Sequence, residues 1–173
     1  KGHRNILEIL ESYEFKTKEG VGVSFWITTQ LCTLGNFEKY AEKFILTHYH
    51  RIKIIRDLLA SVEHLHDIPV LHRDIKPQNI MVVRSTDTDD MNWIPQLIDF
   101  GAATLLGQIK SELSKATLTV RTQIGTYVFM APEIKEGKYD QKVDIYALMI
   151  TYFQCKTYSP ELGEEHWLKE ISL

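Results

Sequence analysis

Apolar positions fall into two rhythms along this chain, and the change from one to the other divides it. Residues 6–15 (ILEILESYEF) and 21–31 (VGVSFWITTQL) are dense in β-branched and aromatic side chains, and the polar stretch 16–20 between them closes on glycine. That pattern predicts two strands joined as a hairpin. After Gly35-Asn36 the spacing becomes helical: Phe37, Tyr40, Ala41 and Phe44 mark one side of a short helix. A longer helix is predicted over 47–67, where Ile52, Ile55, Leu59, Val62 and Leu65 recur every three or four residues. Arg51, Lys53, Arg56 and Glu63 lie off that stripe, and Pro69 stops the helix.

Two short strands follow, 80–83 (IMVV) and 96–98 (QLI), around a polar loop at 84–92. Asp87, Asp89 and Asp90 in that loop invite a calcium reading. An EF-hand loop starting at Asp87 needs glycine at its sixth position and glutamate at its twelfth, where the chain has Asn92 and Ile98, so a solvated loop is the better reading. Residues 105–123 are polar and rich in Ser and Thr, as expected of a mobile segment. Residues 143–155 (VDIYALMITYFQC) are apolar on nearly every side and predict a buried central helix. Asp144 stands out there, because a carboxylate on so apolar a helix needs hydrogen-bond donors; backbone amides of the loop at 72–79 are the expected ones.

The 173 residues suffice for one domain with a core. Lys plus Arg number 20 against 23 Asp plus Glu, a net charge of −3 that gives no case for nucleic-acid binding through bulk charge. No apolar run approaches the ~20 residues of a membrane span, and there is no signal-peptide pattern. The two cysteines suit a reducing compartment better than a disulfide scaffold. An intracellular, cytoplasmic protein is expected; a nuclear location is also compatible.

The chemistry concentrates in His72-Arg73-Asp74-Ile75-Lys76-Pro77-Gln78-Asn79, which places a base, a cation and an amide oxygen on one short loop. This is the pattern H-R-D-x-x-x-x-N, and Pro77 keeps it out of a helix. Asp99-Phe100-Gly101 follows twenty residues after Asn79, and Gly125-Thr126 and Ala131-Pro132-Glu133 come later, in the order phosphoryl transfer requires. Together these motifs resemble the eukaryotic protein kinases, serine/threonine type, along the whole chain.

The resemblance implies a partial α+β protein-kinase-like fold. Residues 1–31 would be the last two strands of the small lobe, 32–35 the hinge, and 36–173 a mainly helical large lobe truncated at its C-terminal end. It implies transfer of the γ-phosphate of ATP, with Mg²⁺, to a protein substrate. Asp74 would be the catalytic base, Lys76 would steady the γ-phosphate, and Asn79 and Asp99 would bind the metal. Thr29 falls at the gatekeeper position, Gln30, Leu31 and Cys32 at the adenine-binding hinge, and Met81 at the floor beneath adenine. His72 and Phe100, with Ile9, would stack as a spine anchored by Asp144. Thr126 and Glu133 belong to the peptide-substrate platform, with Thr126 bonded to Asp74 and Lys76. Arg73 would receive a phosphate added within 111–122, at Thr117, Thr119 or Thr122 before Ser111, by an upstream kinase or by the enzyme itself.

Lys76-Pro77 is the serine/threonine form of the loop, since tyrosine kinases usually place alanine and arginine there. The segments 142–148 and 32–37 are similar to the kinases of translation initiation factor 2α, although Met149 stands where many kinases have glycine. No G-x-G-x-x-G occurs, and the resemblance begins just after the glutamate-bearing helix. The expectation is therefore a portion of a kinase domain lacking the glycine-rich loop, strand lysine and helix glutamate, inactive by itself. A pseudokinase scaffold is the alternative; Asp74, Lys76, Asn79 and Asp99 all being present argues against it. A small-molecule phosphotransferase shares the base and the metal residues but not the platform motifs.

Overall fold

The computed structural model describes residues 2–16, 23–44, 46–85, 92–106, 124–136 and 140–157. The first apolar stretches form β1 (Ile9–Lys16) and β2 (Val23–Thr29), paired antiparallel with Tyr13 opposite Trp26 and Ile9 opposite Thr29. The start of the predicted strand is different: Ile6 leaves the hairpin and bridges Leu97 in a parallel sense, so residues 5–7 run beside a later strand. Phe15 meets Trp26 edge-on at 5.7 Å between ring centroids.

Helix α1 (Phe37–Lys43) starts where Asn36 caps it, the side-chain oxygen accepting from the Lys39 N–H at 3.0 Å. Phe37 and Tyr40 are buried, whereas Phe44 sits past the last turn and is exposed. Helix α2 (His48–Asp67) is capped by Thr47, whose hydroxyl accepts from His50 N–H while His50 Nδ1 accepts from Thr47 N–H. The predicted stripe is rotated by the tertiary packing. Ile54, Leu58, Ser61, Val62 and Leu65 face inward, and Ile52 and Leu59 face outward. Both sets have helical spacing; Ser61 reaches the core by donating to the Leu58 carbonyl at 2.7 Å, a polar residue that apolar periodicity cannot pick out.

Beyond α2 the chain makes β3 (Val70–Leu71), a 3₁₀ turn at Pro77–Asn79, β4 (Ile80–Arg84) and β5 (Trp93–Leu97). Strands β4 and β5 are antiparallel, with Met81 opposite Gln96, and β3 pairs with β6 (Thr104–Leu105). Strand β5 begins three residues earlier than the sequence pattern suggests, because Trp93 and Pro95 are buried against the core. Helix α3 (Lys142–Thr157) packs on α2. It is not buried all round: Val143, Ala147, Leu148, Ile150 and Thr151 face the core, while Ile145, Tyr146, Met149 and Phe153 are exposed. The core joins Leu58, Val62, Leu65, Ile80, Val82, Leu97 and Leu148 into one cluster, which underlies the loop between β3 and β4.

Candidate active site

The loop between β3 and β4 is shaped by what its backbone amides donate to. Asp144 is fully buried on α3, and its two oxygens accept from His72 N–H at 2.9 Å and Arg73 N–H at 2.8 Å. His66 Nε2, near the end of α2, donates to the same carboxylate at 3.1 Å. Arg73 is thereby held at φ 65°, a left-handed conformation that a non-glycine residue adopts only when its surroundings over-determine it. Its side-chain Nε donates to the Ala102 carbonyl at 2.6 Å.

The His72 ring is buried, with Nε2 3.0 Å from the Ile98 carbonyl. A carbonyl only accepts, so Nε2 carries the proton, and Nδ1 accepts from Asp74 N–H at 3.3 Å. Burial holds the His72 pKa below its ordinary value, against the upward pull of Asp144, the Ile98 carbonyl, Asp74 and Asp99. The neutral ring lies against Phe100 with centroids 4.9 Å apart. His72, Phe100 and Asp144 are thus brought together; Ile9, expected beside them, is more than half exposed on the hairpin.

Asp74 projects from this frame toward two donors. Lys76 Nζ reaches both carboxylate oxygens, at 3.0 and 2.8 Å. Asn79 Nδ2 donates to Asp74 Oδ2 at 2.8 Å and to the Asp74 carbonyl at 2.9 Å. The turn that sets this up begins at Pro77, whose fixed φ suits the first position, and Asn79 N–H closes it on the Lys76 carbonyl. Pro77 therefore makes a tight 3₁₀ turn rather than an open loop. Asp74 and Lys76 are each about one-fifth exposed, so their pairing orients the carboxylate more than it stabilises the fold.

Asp99 follows β5 in a left-handed conformation, φ 63°, with Oδ1 accepting from Gly101 N–H at 3.1 Å. A side chain at position 101 would press on that carboxylate, since a Cβ there lies 3.0 Å from Asp99 Oδ1. Ile98 N–H donates to the Asn79 carbonyl, which joins the two candidate metal-binding segments through backbone. Asn79 spends its amide nitrogen on Asp74, leaving its oxygen as the available donor atom, and Asp99 adds carboxylate oxygens. That all-oxygen set suits a hard divalent cation.

The expected adenine-binding residues lie at the end of β2 and on β4. Thr29 is exposed, and its hydroxyl donates to the Gln30 carbonyl at 3.3 Å. Cys32 is partly buried, which pushes its thiol pKa up, and its carbonyl accepts from Gly35 N–H. Val82 N–H donates to the Gly35 carbonyl, and Asn36 bridges Met81, so the segment after β2 is pinned on β4. Glu133 sits half-buried in a 3₁₀ turn, Pro132–Glu136. Phe129, Met130 and Ile134 from this region line a small cleft with Arg73 and Asp74. Thr117, Thr119 and Thr122 lie outside the described residues, as does the side chain of Thr126.

Three connections were not legible from the motifs. His66 is a third donor to Asp144, and Gln78 Nε2 donates to Glu38 across to α1 at 2.5 Å. Gln96 is buried and bonds Gln30. Only Gln96 left a signal, as a polar residue inside the otherwise apolar Trp93–Leu97.

A family profile described as "Protein kinase domain" matches residues 1–170. Among curated relatives, Calcium-dependent protein kinase 5 of Plasmodium berghei is 30% identical over 166 residues, covering 95% of this chain and 26% of the relative. A Calcium/calmodulin-dependent protein kinase of Metarhizium anisopliae is 33% identical over 166 residues, 94% of this chain and 39% of the relative. Serine/threonine-protein kinase cst-1 of Caenorhabditis elegans is 34% identical over 149 residues, 84% of this chain and 27% of the relative. The chain thus spans about a quarter to two-fifths of the length of these relatives. A match over nearly all of its residues, on an α+β fold that seats Asp74 between Lys76 and Asn79, leaves one assignment: the chain belongs to the protein kinase domain family.

Proposed function

We propose that this chain is the catalytic portion of an ATP-dependent protein serine/threonine kinase. The observation that carries the reading is the orientation of Asp74, whose carboxylate is held by both Lys76 and Asn79. In this reading Asp74 accepts the proton of the acceptor hydroxyl, and Lys76 is placed to move between Asp74 and a transferring phosphoryl group. Asn79 and Asp99 would hold Mg²⁺, which when bound with nucleotide supplies neutralisation of the phosphate charge. The backbone of residues 30–32 and the side chain of Met81 would receive adenine, with Thr29 beside it.

Residues 1–31, 32–35 and 36–173 would serve as small-lobe end, hinge and large lobe. The protein-substrate class is supported by the platform motifs Gly125-Thr126 and Ala131-Pro132-Glu133 and by the match to the protein kinase domain. The serine/threonine class is supported by Lys76-Pro77 and by similarity to the serine/threonine-protein kinase cst-1 of Caenorhabditis elegans. No helix among the described residues is long and apolar enough to cross a membrane.

The test is transfer from labelled Mg-ATP by the full-length protein to peptides carrying Ser, Thr or Tyr as sole acceptor. Phosphoserine or phosphothreonine is the expected product. Phosphotyrosine as the main product overturns the substrate class, and nucleotide binding without transfer overturns the enzyme in favour of a scaffold.

A further inference from the structure

The segment that would receive adenine is closed into a ring by a side chain outside every motif. Downstream, Asn36 bridges Met81 and Gly35 accepts from Val82 N–H at 2.9 Å, fixing the segment to β4. Upstream, Gln30 Nε2 donates to Gln96 Oε1 at 2.7 Å, fixing it to β5. Met81 and Gln96 are register partners, so both ends of residues 30–36 close on the same rung of one hairpin. Gln96 is only 8% exposed, and its own Nε2 donates to the Arg4 carbonyl at 2.8 Å. The Arg4 segment is itself held, because Asn5 Nδ2 donates to Pro95 O and Leu97 N–H donates to Asn5 O, both at 2.8 Å.

A buried glutamine with its oxygen committed to one segment and its nitrogen to another has no freedom to turn over. Its amide fixes where Gln30 can lie relative to Met81, and it stands on β5, three residues before Asp99. We infer that Gln96 is a positioning residue for nucleotide binding, relaying the Arg4 segment to Gln30 and holding residues 30–32 at a set height above Met81. This rests on the kinase reading for the identity of the ligand, but not for the mechanics of the relay.

The experiment separates the two, using the full-length protein in three variants. Gln30→Ala releases only the outer end of the relay at an exposed position, so folding is not at stake. Gln96→Leu removes the relay, and Gln96→Lys keeps a donor for the Arg4 carbonyl and for a flipped Gln30 amide. The first readout is the alkylation rate of Cys32, resolved by peptide mass spectrometry without nucleotide; its thiol is partly buried in the held segment. Gln30→Ala and Gln96→Leu should both react several-fold faster than wild type, and Gln96→Lys close to it. The second readout is Mg-ATP affinity by calorimetry, which should weaken roughly three- to tenfold in the first two variants, the scale of one hydrogen bond lost from a preorganised site. An unchanged Cys32 rate in Gln30→Ala overturns the relay. Faster Cys32 with unchanged nucleotide affinity overturns the positioning role. A wild type that binds Mg-ATP but transfers nothing fells the enzyme reading and leaves the relay to be judged by both measurements.

Discussion

Replacing Asp144 puts the largest structural wager of this fold to the test. The carboxylate is fully buried and takes two backbone amides, from His72 and Arg73, at 2.9 and 2.8 Å. Asp144→Ala leaves both donors without an acceptor, at about 1–3 kcal/mol for each buried group. Part of that is offset because the cost of burying a charge disappears, so a net loss of about 3–4 kcal/mol is expected. Asp144→Asn keeps one acceptor oxygen and must turn its amide nitrogen toward a backbone donor, orphaning one N–H rather than two, at about 1–3 kcal/mol. His66→Ala removes a donor from a carboxylate that keeps two others, at about 1 kcal/mol or less. Equilibrium urea unfolding of the full-length protein reads these directly. With a slope near 2 kcal/mol/M the Ala variant should shift the midpoint by about 1.5–2 M, the Asn variant by about half of that, and His66→Ala least. An Asp144→Asn variant as destabilised as Asp144→Ala, or a His66→Ala variant that matches either, refutes the count of orphaned amides as the source of the loss. In the first case the charge and not the count of orphaned amides would dominate; in the second the loop would be held chiefly through α2.

Under the kinase reading, Asp99→Asn should cost more than tenfold in Mg-ATP affinity, whereas Asp74→Asn should leave affinity within about twofold and lower kcat by two or more orders of magnitude. Equal loss of affinity in both variants, by calorimetry, contradicts the division of roles. Phosphorylation at Thr117, Thr119 or Thr122 is expected to activate the enzyme, so the triple alanine variant should stay at its basal rate after incubation with ATP; full activation removes the switch from this segment. If the triple variant is inactive while Arg73→Ala activates normally, the phosphate acts through a different cation. Stability should also fall on acidification. His72 is held neutral by burial, so the unfolded chain binds its proton first as pH drops below the ordinary histidine pKa of 6.5, and the folded state loses ground from there downward. Melting temperatures at pH 7.5 and 5.5 should differ less in His72→Phe than in wild type; an equal difference assigns the acid sensitivity elsewhere.

What the chain declares by itself is what chemistry and local period impose. The hairpin and the span of α2 were readable, because β-branched and aromatic content and a 3.6-residue period act over a few residues. The motif residues were readable for a related reason: a base, a cation and oxygen donors at fixed spacing have few other uses. Asp144 even announced that it needed donors. Which face of α2 turns inward was decided by tertiary structure, since two apolar stripes with helical spacing compete and only contact with α3 and β5 selects Ile54, Leu58 and Val62. The same holds for α3, whose apolar residues are too evenly spread for any period to say that Ile145 and Met149 lie outside. The left-handed backbone of Arg73 was equally hidden, because its hydrogen bond to Asp144, 71 residues away, enforces a conformation that arginine does not favour. Gln96 shows the limit most sharply: its partners Gln30 and Arg4 lie 66 and 92 residues away, and no local rule reaches across that distance.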